Sequence, residues 1–102
     1  MDTKENAFKN IVSANPNMEP TEEWIRFVNC FYNDRPRLQN LLLQAKVSVE
    51  SDLIRVTVCP LNDAQRKWLL NGPIKELEDC YVSHASRDFR HIVELGPSSS
   101  FQ

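Results

Sequence analysis

Residues 47–58 read Val-Ser-Val-Glu-Ser-Asp-Leu-Ile-Arg-Val-Thr-Val, and this stretch decides the fold class. Val47 and Val49 alternate with Ser48 and Glu50, and Ile54, Val56 and Val58 alternate with Arg55 and Thr57. A period of two puts the apolar residues on one face of a strand. Glu50-Ser51-Asp52 supplies the turn between the two runs. β-Branched residues around a short polar link predict a hairpin with one buried face. Pro60 ends its second strand.

On either side of the hairpin the period becomes 3.6. Trp24, Phe27, Val28 and Phe31 recur at the spacing of one helical face, after Thr21 as cap and Glu22 and Glu23 in the first turn. That helix is expected to end near Asn33. Asp34-Arg35-Pro36 restarts the chain, with Pro36 at the first helical position and Leu38, Leu41, Leu42 and Ala45 on the apolar face. Beyond the hairpin, Asn62 caps a third helix and Gln65 stands where a side chain reaches back to the cap amide. Trp68, Leu69, Ile74, Leu77 and Tyr81 supply its apolar face. Gly72-Pro73 interrupts it, which predicts a kink or two shorter helices with Pro73 opening the second. Phe89 to Leu95 alternates again and reads as a third strand. The order is α-α-β-β-α-β. The fold class is α+β, a small layer in which helices cover one face of a three-stranded sheet.

Residues 1–20 read as a flexible or weakly helical leader. Ala7, Phe8, Ile11 and Val12 suffice for one weak turn, and Pro16 and Pro20 break any continuation. Residues 21–95 form the single domain. Residues 96–102, opening Gly96-Pro97-Ser98-Ser99-Ser100, have the composition of a disordered tail.

The composition excludes several functions. In 102 residues, 41% hydrophobic and 25% charged, there is room for one core and no sign of wholesale disorder. The net charge of −2 gives no surface for coating phosphates. Gly72 and Gly96 are the only glycines, so glycine-rich phosphate loops are out. No apolar run approaches the roughly 20 residues that span a bilayer, and the polar start from Met1 to Asn10 is not a secretory signal. Cys30, Cys59 and Cys80 are odd in number and form no CxxC pair, so they read as half-buried thiols of a reducing, cytoplasmic compartment. No metal-ligand spacing appears, and no cofactor or small-molecule substrate is expected.

Catalytic groups are sparse. Cys80 and His84 stand near one helix end and form the one conceivable nucleophile and base, without visible support from a third group. Glu22-Glu23 and Glu78-Asp79 read as a helix start and a solvated helix face. Protein binding remains. Trp, Tyr and Arg concentrate at interface hot spots, and the candidates are Tyr32, Arg66, Trp68, Tyr81 and Phe101. Trp24 and Trp68 lie on apolar stripes and also fit a core, whereas Tyr32 falls off its stripe and reads as a surface residue.

The element order resembles the KH module, although that module clamps nucleotides with a GXXG loop that this chain lacks. Nucleic-acid binding is therefore possible but not favoured. A closer resemblance rests on four segments. These are Trp24-Ile25-Arg26-Phe27, Pro36-Arg37-Leu38, Leu53-Ile54-Arg55-Val56-Thr57-Val58, and Asn62-Asp63-Ala64-Gln65 with Trp68-Leu69. In this order they look like the C-terminal domain of the DNA polymerase III gamma/tau subunit, in versions associated with the Bacteroidetes group. That resemblance, covering about residues 21–95, implies a KH-like, non-catalytic domain that binds the polymerase alpha subunit and tethers it to the clamp loader. The Gly72-Pro73 break and the 82–88 loop depart from the pattern. The chain is also similar to the N-terminal domain of the bacterial replication initiator, through the element order, a Trp in the third helix and the Pro60-Leu61-Asn62 link. That second resemblance implies recruitment of helicase or regulators.

Overall fold

The structure, a computed structural model, describes residues 3–15, 17–85 and 89–96. At its centre is the expected hairpin. β1 (Lys46–Glu50) pairs antiparallel with β2 (Leu53–Val58), from Glu50 opposite Leu53 to Lys46 opposite Thr57. The turn is two residues, and Ser51 takes a positive φ of 52° to make it. β3 (Arg90–Leu95) lies on the other side of β2 and runs parallel to it, giving the order β1-β2-β3. Parallel pairing demands a long crossover, and the chain between β2 and β3 provides it as helices.

Five helices surround this mixed sheet. They are α1 (Thr3–Ala14), α2 (Pro20–Phe31), α3 (Pro36–Leu43), α4 (Asp63–Leu70) and α5 (Pro73–His84). Proline opens α2, α3 and α5, where its fixed φ suits the first helical position and its missing N–H costs nothing. The cap of α2 is Glu19 rather than Thr21, because Pro20 sets the start two residues earlier. The third helix is divided at Gly72-Pro73 into α4 and α5. Gly72 has φ 145°, a backbone that side-chain-bearing residues rarely adopt, although open space surrounds it. At the end of β3, Gly96 extends the parallel ladder through its N–H to the Val58 carbonyl (2.8 Å). A Cβ there would lie 2.8 Å from Thr57 Cγ2, so only glycine permits this approach.

The class is α+β, as expected, with eight elements in place of six. One sheet face carries the core. Val47, Val56 and Val93 form one row of the register, and Ile54, Val56 and Val58 of β2 are fully buried. The other face carries Ser48, Arg55 and Ile92 in the adjacent row, and Arg55 bridges Glu50 (3.1 Å) and Glu94 (3.0 Å) there. Trp24, Phe27, Val28, Leu42, Leu69, Leu77 and Tyr81 close over the inner face. Trp24 Nε1 donates to the Leu42 carbonyl at 2.8 Å, tying α2 to the last turn of α3.

The reading of residues 1–20 as a leader requires correction. α1 is three turns long, and Phe8 is 2% exposed within the main core. Its ring meets Phe27 and Phe31 edge-on at 5.8 and 5.9 Å. Local propensity in this polar segment is weak, and it is the burial of Phe8 against α2 that stabilises the helix. The folded unit therefore begins at α1. The expected tail beyond Gly96 lies outside the described residues. Among those described, no helix is long and apolar enough to cross a membrane.

Candidate functional site

The most accessible apolar surface lies on and beside α4. Asn62 caps this helix, its side-chain oxygen accepting from the Gln65 N–H at 2.8 Å. Gln65 reaches back to the Leu61 N–H at 2.6 Å, one residue before the position that the capping pattern predicts. The cap thereby fixes both the start of the helix and the exposed Leu61 that precedes it. Along α4 the run Trp68-Leu69-Leu70 places three large apolar groups at successive 100° steps around the axis. A helix that packs by one stripe can turn only one of them inward. Leu69 is fully buried, and this leaves Trp68 46% and Leu70 61% exposed.

Two depressions flank the helix. One, of about 480 Å³, is lined by Lys67, Trp68, Leu70 and Asn71. The other, of about 460 Å³, is lined by Arg37, Asn40, Leu41, Gln44, Leu61 and Gln65. An exposed indole with apolar and basic neighbours is the chemistry of a protein-binding anchor.

The other candidates fall elsewhere. Arg66 points away from this surface, and its guanidinium donates to the Gly96 carbonyl, pinning α4 to the end of β3. Phe101 lies outside the described residues. Tyr81 is fully buried, edge-on to Trp24 at 5.0 Å. Tyr32, read as a surface residue, is buried where the α2 C-terminus turns, with its ring against Phe27 at 6.1 Å. The chain leaves the helix at this point, so the 3.6 period no longer states which way residue 32 faces. Leu70, which the periodicity passed over, lines the same depression as Trp68, and Leu61 lines the second one. The signal for Leu70 was present, as three consecutive apolar residues in so short a helix cannot all be core; none existed for Leu61, which precedes the helix.

Tyr32 yields a pH prediction. Burial above all, then the neighbouring Cys80 and Glu76, pushes its phenol from 10 up to about 12, against a smaller opposing effect of Arg35. The folded state thus holds this proton more tightly than the unfolded one. The resulting stability is complete below pH 10 and is lost as pH rises to about 12. Denaturant unfolding at pH 9 and pH 12 should show the wild type losing about 2 kcal/mol more than Tyr32→Phe.

Cys80 and His84 are adjacent, with Sγ 3.8 Å from Nδ1. Nδ1 also faces the Cys80 carbonyl at 2.9 Å, and Nε2 faces Glu5 Oε2 at 2.7 Å. A carbonyl oxygen only accepts, so Nδ1 carries a hydrogen and has no lone pair for the thiol. Burial, and then the Glu5 charge, pushes the Cys80 thiol up, opposite to what an activated nucleophile needs. The histidine therefore works as a strut between α5 and α1. Cys30, Cys59 and Cys80 are free thiols. Comparison with known proteins finds no matching family model, no matching curated relative and no matching solved structure.

Proposed function

We propose that this chain is a non-catalytic protein-binding module of the DNA replication machinery, which tethers the clamp loader to the polymerase alpha subunit in the cytoplasm. The observation that carries the binding role is Trp68, half exposed on a helix whose inward contact is Leu69. Leu70 and Lys67 share the depression beside Trp68, and Leu61 and Arg37 line the second one. The replication assignment rests on the four segments quoted above, the last of which forms α4 and its cap. The Cys80–His84 geometry supports a module without catalysis. In a tethered domain, effective concentration supplies much of the useful affinity, so a contact of this modest size suffices.

The test is titration of the chain with purified polymerase alpha subunit. Saturable binding is expected. Trp68→Ala should weaken it roughly 30-fold, about 2 kcal/mol, in line with an aromatic hot spot. The same variant should change unfolding stability by no more than about 0.5 kcal/mol, as for other exposed positions. No binding at micromolar concentrations would remove the polymerase as partner. Undiminished binding by Trp68→Ala would remove α4 as the surface.

A further inference from the structure

The two edges of the sheet are not alike. At the β3 edge, Glu78 of α5 accepts from the Val93 N–H at 3.2 Å, so a side chain occupies a main-chain donor. The β1 edge has no such cover among the described residues, and Lys46, Ser48, Val49 and Glu50 are exposed. The two-residue turn determines which groups face outward. It makes Glu50–Leu53 a hydrogen-bonded pair, and bonded pairs recur at every second position of an antiparallel ladder. Lys46, Ser48 and Glu50 therefore bond to β2. The amides and carbonyls of Val47 and Val49 point to the free edge.

The sequence of β1, Lys-Val-Ser-Val-Glu, is complementary to itself in reverse. We infer that β1 pairs antiparallel with β1 of a second copy about a two-fold axis through Ser48, joining two sheets into one of six strands. In that register Val47 lies opposite Val49 of the second copy, and each such pair exchanges two main-chain hydrogen bonds. The outward-facing groups of both strands are then satisfied together. Lys46 lies opposite Glu50 of the second copy on the open sheet face. It would extend the Glu50–Arg55 ion pair, 3.1 Å between Arg55 Nε and Glu50 Oε2, across the axis. Ser48 meets its own counterpart, a small polar pair at the point of closest approach. Val49, 50% exposed in the single chain, gains apolar cover. Such an interface is isologous and closes at two copies. Five-residue edges bury less than the roughly 1,000 Å² of a stable interface, so association falls in the micromolar range.

Sedimentation of the full chain over rising concentration tests this. The mass should climb from 11.8 kDa toward twice that value. Exchange of the Val47 and Val49 amides should slow as the dimer forms. Val49→Pro removes an outward N–H that β2 does not use, and should weaken self-association at least tenfold with unchanged circular dichroism. Lys46→Glu, at an exposed position, places like charges across the axis twice and should also favour the monomer, whether or not Val49→Pro folds. A monomer at every concentration overturns the inference. So does a dimer that Lys46→Glu leaves intact, or one that forms without added protection at Val47 and Val49.

Discussion

Replacing Trp24 with alanine is expected to remove about 3–5 kcal/mol of folding stability, a large share of what a small domain possesses. Trp24 is 1% exposed and touches three elements at once. Its ring lies 5.0 Å from Tyr81 of α5 and 5.6 Å from Phe27 of its own helix, and its N–H reaches the Leu42 carbonyl of α3. Alanine leaves a cavity between α2 and the rest of the core and strips a donor from the end of α3. Urea unfolding should show a lower midpoint with an unchanged slope. Trp24→Phe separates the two contributions. It keeps most of the packing, loses the hydrogen bond, and should cost about 1–3 kcal/mol. A loss below 1 kcal/mol for the alanine variant would mean that the core does not depend on this contact. The contrast with Trp68→Ala is the point of interest, since the two tryptophans share a sequence signature and differ in what faces them.

Phe8→Ala should cost about 3 kcal/mol, the lower end for a buried phenylalanine. A flexible leader would give no more than about 0.5 kcal/mol, as surface substitutions do. The size of the effect follows from the placement of Phe8 among Phe27 and Phe31. The polar links of α1 add little by comparison. Lys4–Asp34 is an exposed ion pair at 3.2 Å, screened by solvent and salt. Hydrogen exchange offers a second reading of the same variant. The amides of α1 should lose protection before those of β2, because α1 packs chiefly on α2 while β2 is central to the sheet.

Local signals in the chain were enough for most elements. Pro36 and Pro73 mark helix starts by their own geometry, and each opens a helix, whereas Pro20, read as a breaker ahead of a Thr21 cap, itself opens α2. The alternation from Val47 to Val58 specifies a hairpin because period and turn lie within twelve contiguous residues. Asn62 and Gln65 announce α4 through bonds that close within four residues. The Gly72 break follows from a backbone angle that belongs to glycine.

The candidate surface was half legible. Trp68 carries the right chemistry, but its exposure depends on Leu69 being the residue chosen by the core. Tyr32 and Tyr81 have the same chemistry and are buried, because α2 and α5 bring both against Phe27. Residue type says what a side chain could contribute to an interface. Only the partners that surround it leave it available.

By itself, then, the sequence determined the α+β class, the hairpin, the proline starts of α3 and α5 and the division of the third helix, all of which depend on interactions between residues close in the chain. Tertiary structure alone decided that residues 3–14 belong to the core, that β3 runs parallel beside β2, that Arg66 faces Gly96, and that β1 rather than β3 keeps an open edge. Each of these depends on groups far apart in sequence, such as Phe8 with Phe31 or Glu78 with Val93. No local period encodes such pairings, because they form only when burial of the whole core outweighs the entropy of closing the loops between them.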